Sequence, residues 1–156
     1  MTSFFADEHD FKTYPELSNA ELSTFGFASP HEQITQDFLA VVVKVHDGDT
    51  VTLRCDFRDF DFPLRFASID APELNTGVPG EEARDFLKNL VEGLEVTVRL
   101  DEQRVDKYGR LLGDIVVGGC VAGDLLLQFG FALPFERRLE GELPDLNETF
   151  AEKQWF

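Results

Sequence analysis

The sequence predicts an α+β fold in which five short strands close a small barrel, with two to three helices around it and an acidic extension at the N-terminus. Three observations predict it. From Phe38 onward, runs rich in β-branched residues alternate with turn clusters; a helical repeat interrupts them after the third run; and a short apolar helical stretch follows the fifth.

The elements follow in order. "FLAVVVKV" and "TVTLRCDF" are strand-like and are joined through "HDGD", a turn-forming cluster, so they read as a hairpin. "FPLRFASI" is the third strand. The prolines and glycines of "DAPELNTGVPG" mark an irregular loop, after which "EEARDFLKNLVEG" places Ala83, Phe86, Leu87 and Leu90 at helical spacing, with acids in the first turn and Gly93 as the stop. "LEVTVRL" alternates cleanly as a fourth strand, "RLLGDIVV" is the fifth, and "VAGDLLLQFGFA" is a short helix closed by Gly130. The order βββ–α–ββ–α matches the five-stranded Greek-key barrel called the OB-fold.

This divides the chain into an acidic N-terminal extension (1–37), a barrel domain (38–135) and a C-terminal tail (136–156). The tail is expected to hold a short helix with Trp155 packed back on the domain. The extension is expected to carry short helical pieces around "PELSNAELSTF" and to dock through its phenylalanines.

Length and composition suit a single domain: 156 residues, 43% hydrophobic, and no apolar run long enough for a membrane span. The N-terminus lacks the basic start and apolar stretch of a secretory signal, so a cytoplasmic location is expected. Cys55 and Cys120 are too few for a disulfide framework and are expected to be buried thiols. The net charge of −16 excludes a protein that coats nucleic acid through broad basic surfaces, because counterion release requires clustered Lys and Arg. Residues 1–40 hold seven acids against the single base Lys12. This segment is expected to repel nucleic acid, to engage a protein partner, or to be a solvated, inert tail.

Within that acidic chain, Asp47 and Asp49 flank Gly48 at a strand turn, while Asp70 and Glu73 bracket Ala71 and Pro72 at the end of the third strand. Asp and Gly are also what turns ordinarily use, which for "DGD" alone is the more economical reading. If the first three strands form a meander, however, both turns reach one barrel rim, and clustered carboxylate oxygens there suit a hard divalent cation, Ca²⁺ or Mg²⁺. Arg65 lies five residues before Asp70 and is expected at the barrel mouth; Arg110 opens the fifth strand after "DKYG". A guanidinium binds two phosphate oxygens at once and stays charged.

Four ordered blocks, "VHDGDTVTL", "LRFASIDAPE", "GEEARDFLKNLVEGLEVTV" and "DKYGRLLGDI", resemble the staphylococcal nuclease-like, or thermonuclease, family over about residues 40–133. The resemblance implies a Ca²⁺-dependent nuclease, an endonuclease, that hydrolyses single-stranded or denatured DNA or RNA with little sequence preference. It implies that Asp49 and Asp70 bind one Ca²⁺ by carboxylate and Ala71 by its carbonyl. It assigns Glu73 as general base or as the orienter of the attacking water, Arg65 and Arg110 to the scissile phosphate, and Lys107 and Tyr108 to a neighbouring terminal phosphate. The family's Asn near the start of the last helix is replaced here at about Gly123, expected as a helix N-cap. Of the aromatics that follow that helix in the family, this chain offers Phe135. The alternative is a noncatalytic domain of the same fold that binds protein or nucleic acid.

Overall fold

The computed structural model describes residues 15–25, 29–106 and 109–135, apart from the side chains of residues 24 and 25. Lys107, Tyr108, the phenylalanines of residues 1–14, the tail and Trp155 lie outside the described residues.

A long strand β1 (Phe38–Asp47) turns directly into β2 (Thr50–Arg54), which pairs in turn with β3 (Phe62–Phe66). This is the expected meander. After the two-residue β4 (Ile69–Asp70) and a 3₁₀ turn at Leu74–Thr76, helix α2 runs Val78–Val91; it follows the short helix α1 (Asn19–Phe25) in chain order. Strands β5 (Glu95–Val105) and β6 (Leu111–Val117) form a second antiparallel pair, followed by β7 (Cys120–Val121), helix α3 (Ala122–Gln128) and β8 (Leu133–Pro134).

Closure comes from one parallel pairing. The sheet runs β3–β2–β1–β5–β6, and β6 returns to β3 with Leu64 opposite Leu111 and Phe66 opposite Gly113. The five strands thereby form a closed barrel with no free edge between them. Its inward side chains include Val42, Val51, Leu53, Leu64, Phe66, Val98, Leu111 and Ile115, all buried. Helix α2 packs on β1 and adds Ala83, Leu87 and Val91 to the same core. Each large apolar side chain buried this way contributes roughly 1.5–3 kcal/mol.

Several boundaries differ from expectation for identifiable reasons. Helix α2 starts at Val78 rather than Glu81, because Pro79 falls in the first turn, where its fixed φ suits a helix and its missing N–H costs nothing. Strand β5 continues past Leu100 into the polar stretch to Val105, where alternation no longer reports a strand. Cys55 is buried as expected, but Cys120 is exposed: it follows Gly118 and Gly119 at a tight turn between β6 and β7, outside the core. Gly123 is not the N-cap of α3. That position is Val121, and the Gly123 N–H donates to Asp114 Oδ1 at 3.1 Å, so a strand carboxylate serves the helix start instead. No described helix is long and apolar enough to cross a membrane.

Candidate active site at the barrel rim

The β1–β2 turn and the end of β3 meet at one rim. The Asp49 carbonyl accepts the Phe66 N–H at 2.8 Å, and Asp49 Oδ2 accepts the Ala71 N–H at 2.9 Å, which draws the two loops together. Asp47 shapes the turn, its Oδ1 accepting the Asp49 N–H at 3.2 Å. Gly48 lets the turn seat against its neighbours: a Cβ there would lie 2.8 Å from the Cβ atoms of both Ala71 and Ala83. Asp70 is held from the other side, since β4 pairs with β8 and sets Asp70 opposite Leu133.

Arg65 joins the two acids. It lies on the face of β3 opposite Phe62, Leu64 and Phe66, so its guanidinium reaches the rim rather than the barrel interior. Its Nη2 sits 3.3 Å from Asp49 Oδ2 and 3.1 Å from Asp70 Oδ1. Its Nη1 donates to the carbonyls of Phe66, at 2.5 Å, and Ile69, at 3.0 Å. Such a fork is firmly oriented, because Nη1 and Nη2 each face two acceptors.

Burial makes this cluster electrostatically demanding. Asp49 is 5% exposed, and loss of solvent pushes its carboxyl up to about 7; Arg65 opposes that rise and neighbouring Asp47 adds to it. Asp70 is buried as well. Among the described residues no three His, Cys, Asp or Glu side chains converge, so a cation here would rest on two carboxylates, a carbonyl and water. That donor set is all oxygen and carries excess negative charge, which fits a hard divalent ion.

Glu73 stands where the loop leaves this cluster, three residues after Asp70, with an exposed side chain. Its backbone is fixed: its carbonyl accepts the Thr76 N–H at 3.0 Å and the Thr76 hydroxyl at 2.6 Å. Gly80 in α2 presses on the same peptide, which the sequence pattern did not reveal. Arg110 immediately precedes β6, and β6 runs beside β3. Its backbone N–H and Nε both donate to the Asp106 carboxylate, at 2.9 and 2.8 Å. The structure thus brings Asp49, Asp70, Ala71 and Arg65 into one hydrogen-bonded group, with Glu73 on the adjoining loop and Arg110 on a turn of its own. Phe135, the aromatic after α3, is half-buried and donates its N–H to the Ser68 carbonyl at 3.0 Å.

Comparison with known proteins gives a consistent pattern. Residues 63–153 match the family model described as staphylococcal nuclease homologue. Over 96 residues the chain is 34% identical to a thermonuclease of Staphylococcus hyicus, covering 58% of this chain and 56% of that protein. It is 40% identical over 77 residues to a micrococcal nuclease of Shigella flexneri, covering 49% of this chain and 41% of that one. A staphylococcal-like nuclease of Arabidopsis thaliana is 36% identical over 84 residues, 51% of this chain and 24% of its own length. The chain therefore spans between about a quarter and just over half of these relatives.

Proposed function

This chain belongs to the staphylococcal nuclease homologue family, and from that premise we propose that it is a Ca²⁺-dependent nuclease cleaving phosphodiester bonds of single-stranded or denatured DNA or RNA. The observation that carries the reading is the convergence of Asp49, Asp70 and Arg65 within 3.3 Å at one barrel rim, with Glu73 three residues further on.

In this reading the carboxylates of Asp49 and Asp70 and the Ala71 carbonyl hold the cation. When bound, it supplies Lewis acidity to a phosphoryl oxygen and local charge neutralisation. Glu73 accepts a proton from the water that attacks phosphorus, a role its exposed carboxylate on a fixed backbone suits. As the water oxygen bonds to phosphorus and the bond to the leaving oxygen breaks, charge builds on the equatorial oxygens. Arg65 and Arg110 neutralise it, and their guanidinium groups arrive already oriented by their carboxylate partners. Lys107 and Tyr108 follow Asp106 directly in sequence and are assigned to a neighbouring phosphate. In a chain of net charge −16, phosphate binding is confined to this cleft and weakens with salt.

The test is hydrolysis of denatured DNA and of RNA by the full chain with added Ca²⁺, with a chelator, and with Glu73→Gln. Calcium-dependent cleavage that disappears in the variant is expected. Failure of the folded wild type to cleave either polymer would leave a noncatalytic binding module instead.

A further inference from the structure

Outside the rim, a densely bonded polar cluster joins the N-terminal segment to the far end of β5. Glu16 is 2% exposed and lies between two buried guanidinium groups, an unusual placement for three charges. It pairs with Arg58, which lies over the rings of Phe60 and Phe62, and its Oε2 is 3.4 Å from Arg104 Nη2.

Arg104 is spent entirely on that segment. Its Nε and Nη2 donate to the Ile34 carbonyl at 2.8 and 2.5 Å, and its Nη1 donates to the Leu17 carbonyl at 3.0 Å and to Asn19 Oδ1 at 3.1 Å. Asn19 Nδ2 returns a bond to the Glu102 carbonyl at 3.0 Å, and Asp37 Oδ1 accepts the Leu100 N–H at 2.9 Å.

These bonds fall on an irregular piece of backbone. The register of β5 against β6 jumps from Leu100 opposite Gly113 to Val105 opposite Leu111, so residues 101–104 bulge out against Leu112 alone. Arg104 has φ 61°, and among the described residues it is the one non-glycine in the left-handed region, a conformation that persists when surrounding contacts impose it.

Two residues further on is Asp106, which organises the turn to Arg110. Its N–H donates to the Arg110 carbonyl at 2.9 Å, its carbonyl accepts the Gly109 N–H at 3.1 Å, and its carboxylate holds Arg110 as described above.

We propose that residues 15–25 and 29–37 form a brace that sets the turn from Asp106 to Arg110, with Arg104 as the positioning residue and Glu16 as its buried anchor. The brace fixes the bulge, the bulge fixes the entry of the chain into Asp106, and Asp106 aims the Arg110 guanidinium. The consequence for catalysis rests on the nuclease reading; the mechanical coupling does not.

Arg104→Gly is the informative variant. Glycine accepts φ 61° without strain, so the bulge loses its attachment but no favourable backbone conformation, and the Glu16–Arg58 pair stays neutral. Asn19→Ala is the milder companion, removing bonds to Glu102 and Arg104 without touching a charge. Hydrogen exchange at the Gly109 and Arg110 amides should accelerate about tenfold to a hundredfold in Arg104→Gly, the range set by losing charge-assisted hydrogen bonds. The β1 and β2 amides should keep their protection. On denatured DNA, kcat/KM should fall at least about tenfold. The salt dependence of KM should become shallower as a phosphate contact is lost. Arg104→Gly combined with Arg110→Ala should be no worse than Arg110→Ala alone.

Unchanged exchange at Gly109 and Arg110 in folded Arg104→Gly would overturn the brace. So would additive losses in the double variant. If the wild type cleaves nothing, the nuclease reading fails, and the exchange measurement still decides the brace.

Discussion

A Cβ placed on Gly80 would stand 2.0 Å from the carbonyl oxygen of Glu73 and 2.7 Å from its carbonyl carbon. Helix α2 therefore touches the candidate general base through its backbone, at a contact that only a hydrogen side chain permits. Gly-to-Ala changes inside helices ordinarily stabilise by about 1 kcal/mol. Gly80→Ala should do the reverse, costing about 1–3 kcal/mol through overpacking and displacing the Glu73 peptide. Denaturant midpoints and kcat measured side by side check this; a stabilised, fully active variant would show slack where the geometry has none.

Glu73→Gln should separate chemistry from stability. The side chain is exposed and makes no cap bond to the 3₁₀ turn, so the unfolding midpoint should not move. The hydrolytic rate should drop by about 10²–10⁴-fold, the usual contribution of a positioned base. A comparable loss of stability would mean that the carboxylate is holding the loop rather than acting on water.

Asp49→Asn should uncouple ion binding from folding. The amide oxygen can still accept the Ala71 N–H, while one of the two carboxylates facing Arg65 loses its charge and Asp70 keeps its own. Calorimetric titration with Ca²⁺ should show affinity reduced by about tenfold to a hundredfold, the equivalent of one charged partner. Ca²⁺ binding equal to that of the wild type would remove Asp49 from the ligand set.

Asp114 gives a pH signature away from the rim. Burial raises its carboxyl above the ordinary 3.8, against bonds from the Ile115 and Gly123 amides that pull it down. Because the folded state holds the proton more tightly than the unfolded chain, this group favours folding below the ordinary value. That contribution is lost as pH rises through the raised one. Asn at this position keeps an acceptor oxygen and cannot ionise. The melting temperature of Asp114→Asn relative to wild type should therefore climb from pH 4 toward neutrality; a constant difference would mean that Asp114 titrates normally.

Much of this architecture is legible in the linear chain. The hairpin of β1 and β2 is readable because β-branched residues flank "HDGD", and α2 because Ala83, Leu87 and Leu90 share one face. The rim acids are readable because each sits beside a turn residue, so local chemistry and position agree. What stays hidden is contact between residues far apart in sequence. Glu16 reads as one acid among seven in residues 1–40, yet it is buried against Arg58 and Arg104; nothing periodic distinguishes it from a solvated neighbour. Gly80 reads as a loop residue after Pro79, because its reason lies in a peptide bond seven positions away. Arg104 sits in "DEQRV", whose polarity resembles an exposed edge, while the residue is 7% exposed. Pairings of this kind depend on topology, which composition and spacing do not encode.

The parallel pairing of β3 with β6 also dictates an order of events during synthesis. The ring cannot shut until Leu111 and Gly113 have been made, and the brace cannot seat until Arg104 exists, since its contact with Glu16 joins residues 88 positions apart. Long-range closures of this type slow folding, because the chain loses loop entropy before the contacts reward it. Until then the growing chain presents the unpaired edge of β3, an invitation to pair with other strands. The chain's net charge of −16 works against such pairing, because like-charged chains repel one another.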